Sequence, residues 1–326
     1  MMFKAPLGTA VAAIALSAAF AGSAAVAQTK WDMATPYPDA EFHEKNIKQF
    51  AEDVATATDG NVAITVHTGS SLFKSPEIKR SVENQLIQGG EILMANLYNE
   101  DPIFGADNLP FVATTYDEAK AVWDVQKPIV EQLLADDGLT LLYAVPWPGQ
   151  GFYLKEEIES ADDLQGVRFR TYNAGTSRMA ELLGMVPTAV EAVEIPQAFS
   201  TGIVDGMVTS AATGARTKAW DFTGNFYDFR AWLPKIVVFV NTSAFESLGE
   251  DEQAAMMEAA AEAETRGWKW SEEESDSAVE ILAEHMTIHK PSEALTEGLA
   301  AIGATMAEEW AAEAGDNGKA VLDALK

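Results

Sequence analysis

The chain has 326 residues, with 22 Lys and Arg against 50 Asp and Glu, a formal net charge of −28, four histidines and no cysteine. That balance argues against nucleic acid and anionic membrane surfaces as partners, because phosphate affinity is built from clustered Lys and Arg. The missing cysteine excludes both disulfide staples and a thiol nucleophile.

Residues 1–27 combine an early cation, Lys4, an apolar run over 11–20 and the small-residue exit Ala25-Val26-Ala27. They read as a secretory signal peptide cleaved before Gln28. The run is too short for a membrane span, and no later segment approaches about 18 consecutive apolar residues. The expected product is a soluble periplasmic protein, not inserted in the membrane, with its acidic residues spread over solvated faces such as 246–284. A chain of this size buries roughly three quarters of its unfolded surface, usually in two domains.

Strand-like and helix-like segments then alternate. Residues 30–35 (KWDMAT) read as a strand, 39–57 as a helix with Phe42, Ile47, Phe50 and Val54 on one face, and 61–67 (NVAITVH) as a second strand after the Asp59-Gly60 turn. Ser75 is the expected N-cap of a helix with Pro76 in its first position, running to about residue 88, where Gly89-Gly90 stops it. A strand over 91–97, a long amphipathic helix over 117–135 and a buried strand over 140–145 (TLLYAV) follow. Next come a strand over 167–171 (VRFRT) with helix 175–183, a strand over 186–189 with helix 195–202, and a strand over 206–209. The Val-rich run 235–241 (KIVVFVN) is continuous, as in a strand covered on both faces. Residues 251–286 carry helical periodicity without proline and predict one helix about 50 Å long at 1.5 Å per residue. Pro291 interrupts, and 293–325 supplies terminal helices.

The order predicts an α/β fold of two lobes with mixed, mainly parallel sheets covered by helices. The chain crosses between lobes near 146–149 and 234–238, so 28–148 and 238–255 form lobe 1 and 149–237 lobe 2. The remainder, 256–326, is expected to hold the helix spanning both lobes and the C-terminal helices.

The most telling cations lie in Asp163-Leu164-Gln165-Gly166-Val167-Arg168-Phe169-Arg170. A period of two puts Arg168 and Arg170 on one side of the strand, and Arg170 at its carboxyl end, where open α/β sheets place ligands. A guanidinium there holds a carboxylate by two charge-assisted hydrogen bonds. Spacing alone equally allows both arginines to be solvated and paired with surface acids.

This stretch, followed by Leu183-Gly184, Pro187 and then Gln197-Ala198-Phe199-Ser200-Thr201-Gly202-Ile203-Val204-Asp205-Gly206, resembles the signature of solute-binding proteins of tripartite ATP-independent periplasmic (TRAP) transporters, of the dicarboxylate-binding-protein type. The loop over 35–43, Gly69-Ser70-Ser71-Leu72, Gln88-Gly89-Gly90 and Leu109-Pro110-Phe111 fit the same pattern, so the resemblance covers essentially the whole mature chain. It implies a two-lobed, type II-like periplasmic binding protein that closes on a small organic acid and delivers it, as a monomer, to TRAP membrane subunits. The family's carboxylate-gripping arginine maps onto Arg170. Where the family often presents Asn-Pro, this chain has Met207-Val208-Thr209-Ser210, so Thr209 or Ser210 is expected to replace the amide. Where many members carry another arginine, it reads Trp147-Pro148-Gly149-Gln150-Gly151-Phe152, which argues against sialic-acid-type ligands and dicarboxylates.

Aromatic residues gather at the same places: Tyr37, Tyr98, Trp147, Phe152, Tyr153, Tyr172 and Trp232. Of these, Trp147, Tyr37, Phe152 and Trp232 are the expected walls of the ligand pocket, with Asn96, Gln150 and Asn173 as its neutral hydrogen-bonding groups. The favoured ligand is a monocarboxylate, aromatic such as a hydroxybenzoate; a uronate, a 2-oxo acid or another hydroxy acid, or a role presenting ligand to a membrane sensor, are the alternatives. An exported hydrolase or lyase would have only Glu194 and Asp205 to offer as acid and base, so no enzymatic activity is expected. His285 and His289 stand four apart on an expected helix, but no third ligand accompanies them, and neither metal nor cofactor is assigned.

Overall fold

The computed structural model describes residues 1–2 and 28–325. The signal-peptide reading therefore rests on residues that, apart from Met1 and Met2, lie outside the described ones. In chain order the elements are β1 (Thr29–Ala34), α1 (Phe42–Ala57), β2 (Val62–His67), α2 (Ser75–Glu83), β3 (Gly89–Leu93), α3 (Tyr116–Asp136), β4 (Leu139–Pro146) and β5 (Gln150–Leu154). They continue with β6 (Arg168–Thr171), α4 (Ala174–Leu182), β7 (Val186–Ala189), α5 (Ile195–Ser200), β8 (Gly206–Ser210), α6 (Ala211–Thr217) and β9 (Asn225–Tyr227). Last come β10 (Lys235–Asn241), α7 (Thr242–Glu246), α8 (Glu250–Ala283), β11 (Thr287–His289) and α9 (Glu293–Asp323).

The strands form two sheets, ordered β2-β1-β3-β10-β4 and β11-β9-β5-β8-β6-β7. In the first, β1 runs parallel to β2 and β3, while β10, returning from the other sheet, is antiparallel to both β3 and β4. In the second, β6 is parallel to β7 and β8, and the incoming β5 is antiparallel to β8 and β9. Each lobe is thus a two-faced α/β sheet whose antiparallel strand is a consequence of the chain crossing over. All seven residues of β10 are buried, as its unbroken apolar run predicts. Its first residue is pinned near the crossover: Asp107 Oδ2 accepts from the Lys235 amide at 2.7 Å and lies 3.5 Å from Nζ.

The two lobes share α8. Its buried stripe is made of small residues at helical spacing, including Ala259, Ala260, Ala263, Gly267, Ser271 and Ser275. The crossing is so close that a Cβ on Gly267 would sit 2.4 Å from Val145 and 2.7 Å from Asn46. The helix packs on α1 and β4 in one lobe and on α6 and β11 in the other. Among the described residues no helix is long and apolar enough to cross a membrane.

Several expected boundaries move for local reasons. The helix expected to reach residue 88 ends at Glu83, and Gln85 takes a left-handed φ of 57°. Its N-cap is Lys74, whose amide donates to Glu77 at 3.0 Å; Ser75 is inside the helix, and its hydroxyl accepts instead from Asn96 Nδ2 at 3.1 Å. The strand expected over 91–97 occupies only Gly89–Leu93 and then tightens into a 3₁₀ turn, Met94–Leu97. Three short segments for which the sequence predicts no strand, β5, β9 and β11, are strands held by tertiary pairing. His285 and His289 do not share a helix: His285 lies past the end of α8 and stacks on Trp220, whereas His289 is in β11 and stacks on Tyr227. No group of three or more His, Asp or Glu placed to hold a metal occurs among the described residues.

Candidate ligand-binding site

Between the sheets, the carboxyl ends of β1, β3, β6, β7 and β8 converge with both crossovers on a cavity of about 70 Å³. This is the place where parallel strands leave unpaired ends and loops free to take a ligand. Pro36, Tyr37, Ser75, Leu93 and Asn96 form the first-lobe wall. Trp147, Gln150 and Pro234 enter from the crossovers, and Arg170, Tyr172, Glu191, Ala192, Thr209, Ser210 and Thr213 form the second-lobe wall.

The two arginines of β6 have opposite fates. Arg168, at the strand start, has a side chain 51% exposed and pairs with Asp205 at 2.6 Å. Arg170, two residues on, is 4% exposed. Its Nε donates to the Val190 carbonyl at 3.0 Å and its Nη1 to the Val208 carbonyl at 3.2 Å, with the guanidinium carbon 5.1 Å from the Tyr172 ring centre. Burial lowers its pKa to about 10, so it remains a cation at neutral pH. Among the described residues no carboxylate forms an ion pair with it, and Nη2 has no protein partner. A fixed, desolvated guanidinium with a free edge is a receptor for a carboxylate.

Three aromatic rings, Tyr37, Trp147 and Tyr172, stand among polar wall residues. Tyr37 meets Trp147 edge-on at 5.1 Å, and Trp147 is backed by His43 and Phe42. The Tyr172 hydroxyl donates to Gln150 Oε1 at 3.3 Å and accepts from Trp232 Nε1 at 3.1 Å, while Gln150 Nε2 is held by the Pro148 carbonyl. Ser210 caps α6, accepting from the Thr213 amide at 3.2 Å. Arg216 on α6 reaches across to Glu41, at the entry to α1, and so ties the second-lobe wall to the first.

Seven of the residues expected from sequence, Tyr37, Asn96, Trp147, Gln150, Arg170, Thr209 and Ser210, are brought together here. Three are not. Phe152 is carried by β5 away from the crossover into the second-lobe core, against Phe169 and Phe229. Asn173 commits its side chain to capping α4, accepting from the Thr176 amide at 2.9 Å, and its Nδ2 donates to Asn108 at 3.3 Å. Trp232 is sealed behind Tyr172 and acts on the cavity only through that hydroxyl. Tyr98 lines a separate cavity of about 250 Å³ with Asn108, Arg178 and Trp310. Neither Glu194 nor Asp205 lines the ligand cavity; Asp205 is held by Lys155 and Arg168.

Sequence reading left Ser75, Glu191 and Thr213 out of the site. Ser75 was assigned to a helix cap, and Thr213 sits on α6, a helix too short to show periodicity. Glu191 stands among several acids with nothing in its spacing to mark it.

The description of bacterial extracellular solute-binding protein family 7 matches residues 33–313. The chain belongs to that family and is a TRAP solute-binding protein. Among solved structures, the Bordetella pertussis extracytoplasmic solute receptors DctP7 and DctP6, both binding pyroglutamic acid, are each 42% identical with TM-score 0.89, over 91% of this chain and 99% of theirs. A marine metagenome TRAP solute-binding protein specific for pyroglutamate is 39% identical with TM-score 0.89, over 92% of this chain and 99% of its own. TRAP receptors of this family bind small acids, and the position of Arg170 in this receptor's cavity suits that role.

Proposed function

We propose that this receptor captures a compact cyclic monocarboxylate, pyroglutamate first, in the periplasm and hands it unchanged to a TRAP membrane permease. The observation that carries the reading is Arg170: among the described residues it is the one cation of the cavity wall, buried and without an ion-paired acid. The relatives that are 39–42% identical and bind pyroglutamate support it. A small cavity between Trp147, Tyr37 and Tyr172 suits a flat five-membered ring better than a uronate, and a dicarboxylate would leave one charge unmatched.

Capture requires the ligand to bind the closed arrangement better than the open one. Moving that equilibrium from 1:99 to 99:1 takes about 5.5 kcal/mol of differential affinity. A desolvated guanidinium–carboxylate pair with burial of one ring face is of that order, at roughly 1.5–3 kcal/mol for the charged hydrogen bonds and about 25 cal/mol per Å² of apolar surface.

The test is a thermal-shift and calorimetric panel of L-pyroglutamate, 4-hydroxybenzoate, D-glucuronate, 2-oxobutanoate and succinate. A ligand that binds only the folded state raises stability by RT ln(1 + [L]/Kd), and pyroglutamate is expected to give the largest shift. Mass spectrometry of the released ligand is expected to show it chemically intact. A stronger response to the aromatic acid or to succinate overturns the ligand assignment, and turnover of the ligand overturns the receptor reading.

A further inference from the structure

Glu191 lines the same cavity as Arg170 and, among the described residues, is the only acid that does so. It follows Val190, whose carbonyl anchors Arg170, and precedes Ala192, another wall residue, so the bond that fixes the guanidinium also fixes the chain at Glu191. The side chain is half-buried. Burial raises its pKa; the charged groups that face it are Arg170 and Lys74, which oppose the rise, and Glu194, which adds to it. None of them pairs with it: among the described residues, no hydrogen bond or ion pair engages the Glu191 carboxyl.

A free carboxylate in a site built for a carboxylate repels the ligand unless the ligand presents a hydrogen-bond donor on that side. Arg170 and Glu191 together frame a guest that is acidic at one end and donates from the adjoining atom. We propose that Glu191 is a specificity-determining residue that accepts an N–H from the ligand, so that the receptor selects carboxylates bearing nitrogen beside the acid-bearing carbon over their oxygen analogues. The inference rests on the carboxylate being held at Arg170. A lactam N–H and an ammonium share the required chemistry, whereas a ring oxygen leaves the acceptor facing another acceptor.

Two pairs in which a ring N–H is replaced by a ring oxygen test it by calorimetric titration: L-pyroglutamate with 5-oxotetrahydrofuran-2-carboxylate, and L-proline with tetrahydrofuran-2-carboxylate. The unaltered receptor is expected to favour the nitrogen member of its best pair at least about tenfold, as sites built to bond an N–H do. Glu191→Gln, which keeps an acceptor oxygen, is expected to retain the nitrogen preference, and Glu191→Ala to reduce it to about threefold or less. Unchanged thermal midpoints of the ligand-free variants exclude misfolding. Equal binding of the two members, or a preference that survives in Glu191→Ala, overturns the proposal. If proline binds in preference to its oxygen analogue and pyroglutamate does not bind, the ligand assignment falls while the role of Glu191 stands; if no nitrogen acid binds, both fall.

Discussion

On the second-lobe wall Arg170 is buried facing the cavity and keeps its charge, whereas in the first lobe Glu44 and Glu91 are buried away from the cavity, and desolvation raises the pKa of both. Glu44 is pushed up to about 8, although it accepts from the Thr35 hydroxyl. Among the described residues Glu91 has no hydrogen-bond partner for either oxygen, and the buried His43 has none for either nitrogen. The contrast follows from starting points. A guanidinium begins so basic that complete burial still leaves it protonated, while a carboxyl that begins near the acid end becomes neutral once water is withdrawn. A permanent cation in a dry ligand site is therefore best made from arginine, and buried acids behind such a wall behave as neutral polar groups.

Four measurements break or sharpen that contrast. The largest effect is expected from Arg170→Ala, which should weaken ligand binding at least about a hundredfold by calorimetry, because the bound carboxylate loses its partner; the buried Val190 and Val208 carbonyls lose theirs too, so the thermal midpoint of the empty protein should fall as well. Retained affinity would remove Arg170 from the site. The second concerns Glu44. Between about pH 4.5 and about pH 8 the folded state holds a proton that the unfolded state has released, so this group makes stability fall as pH rises through that window. Glu44→Gln should make the fall in thermal midpoint shallower without abolishing it, because burial also raises the pKa of Glu91. An unchanged slope would mean that Glu44 is ionised in the fold.

Tyr172→Phe comes third. It strands the buried Trp232 indole N–H and frees Gln150, and should cost about 1–3 kcal/mol in denaturant unfolding. The smallest effect belongs to Arg168→Ala: its pair with Asp205 is exposed, so the thermal midpoint should barely move and ligand affinity not at all. A loss of affinity there would erase the distinction between the two arginines of β6.

The legible parts of this molecule were those with long periodic signals. The helices α1, α3 and α8 and the strand β10 were readable because their apolar spacing spans many residues. Arg170 was legible from its place at the carboxyl end of a strand and from the family resemblance; alternation alone puts Arg168 on the same side and does not choose between them. Phe152 was misplaced because β5 is short, contains a glycine and exists only through its pairing with β8 and β9; no local pattern distinguishes such a strand from a crossover loop. Asn173 and Ser75 show the same ambiguity at helix starts, where one polar side chain can cap the helix or serve the cavity. Glu191 reaches the site through a loop whose path is set by β7 and by the bond from Arg170, both tertiary facts.

The position of β10 between β3 and β4 has a consequence for how the protein is made. Both flanking strands leave the ribosome well before residues 235–241, so the first sheet has a gap between β3 and β4 until the second has been threaded through. Long-range pairing of this kind is slow to form. A nascent chain stopped just after β4 should accordingly be open to proteases at β3 and β4, and acquire protection only when the returning segment slots in.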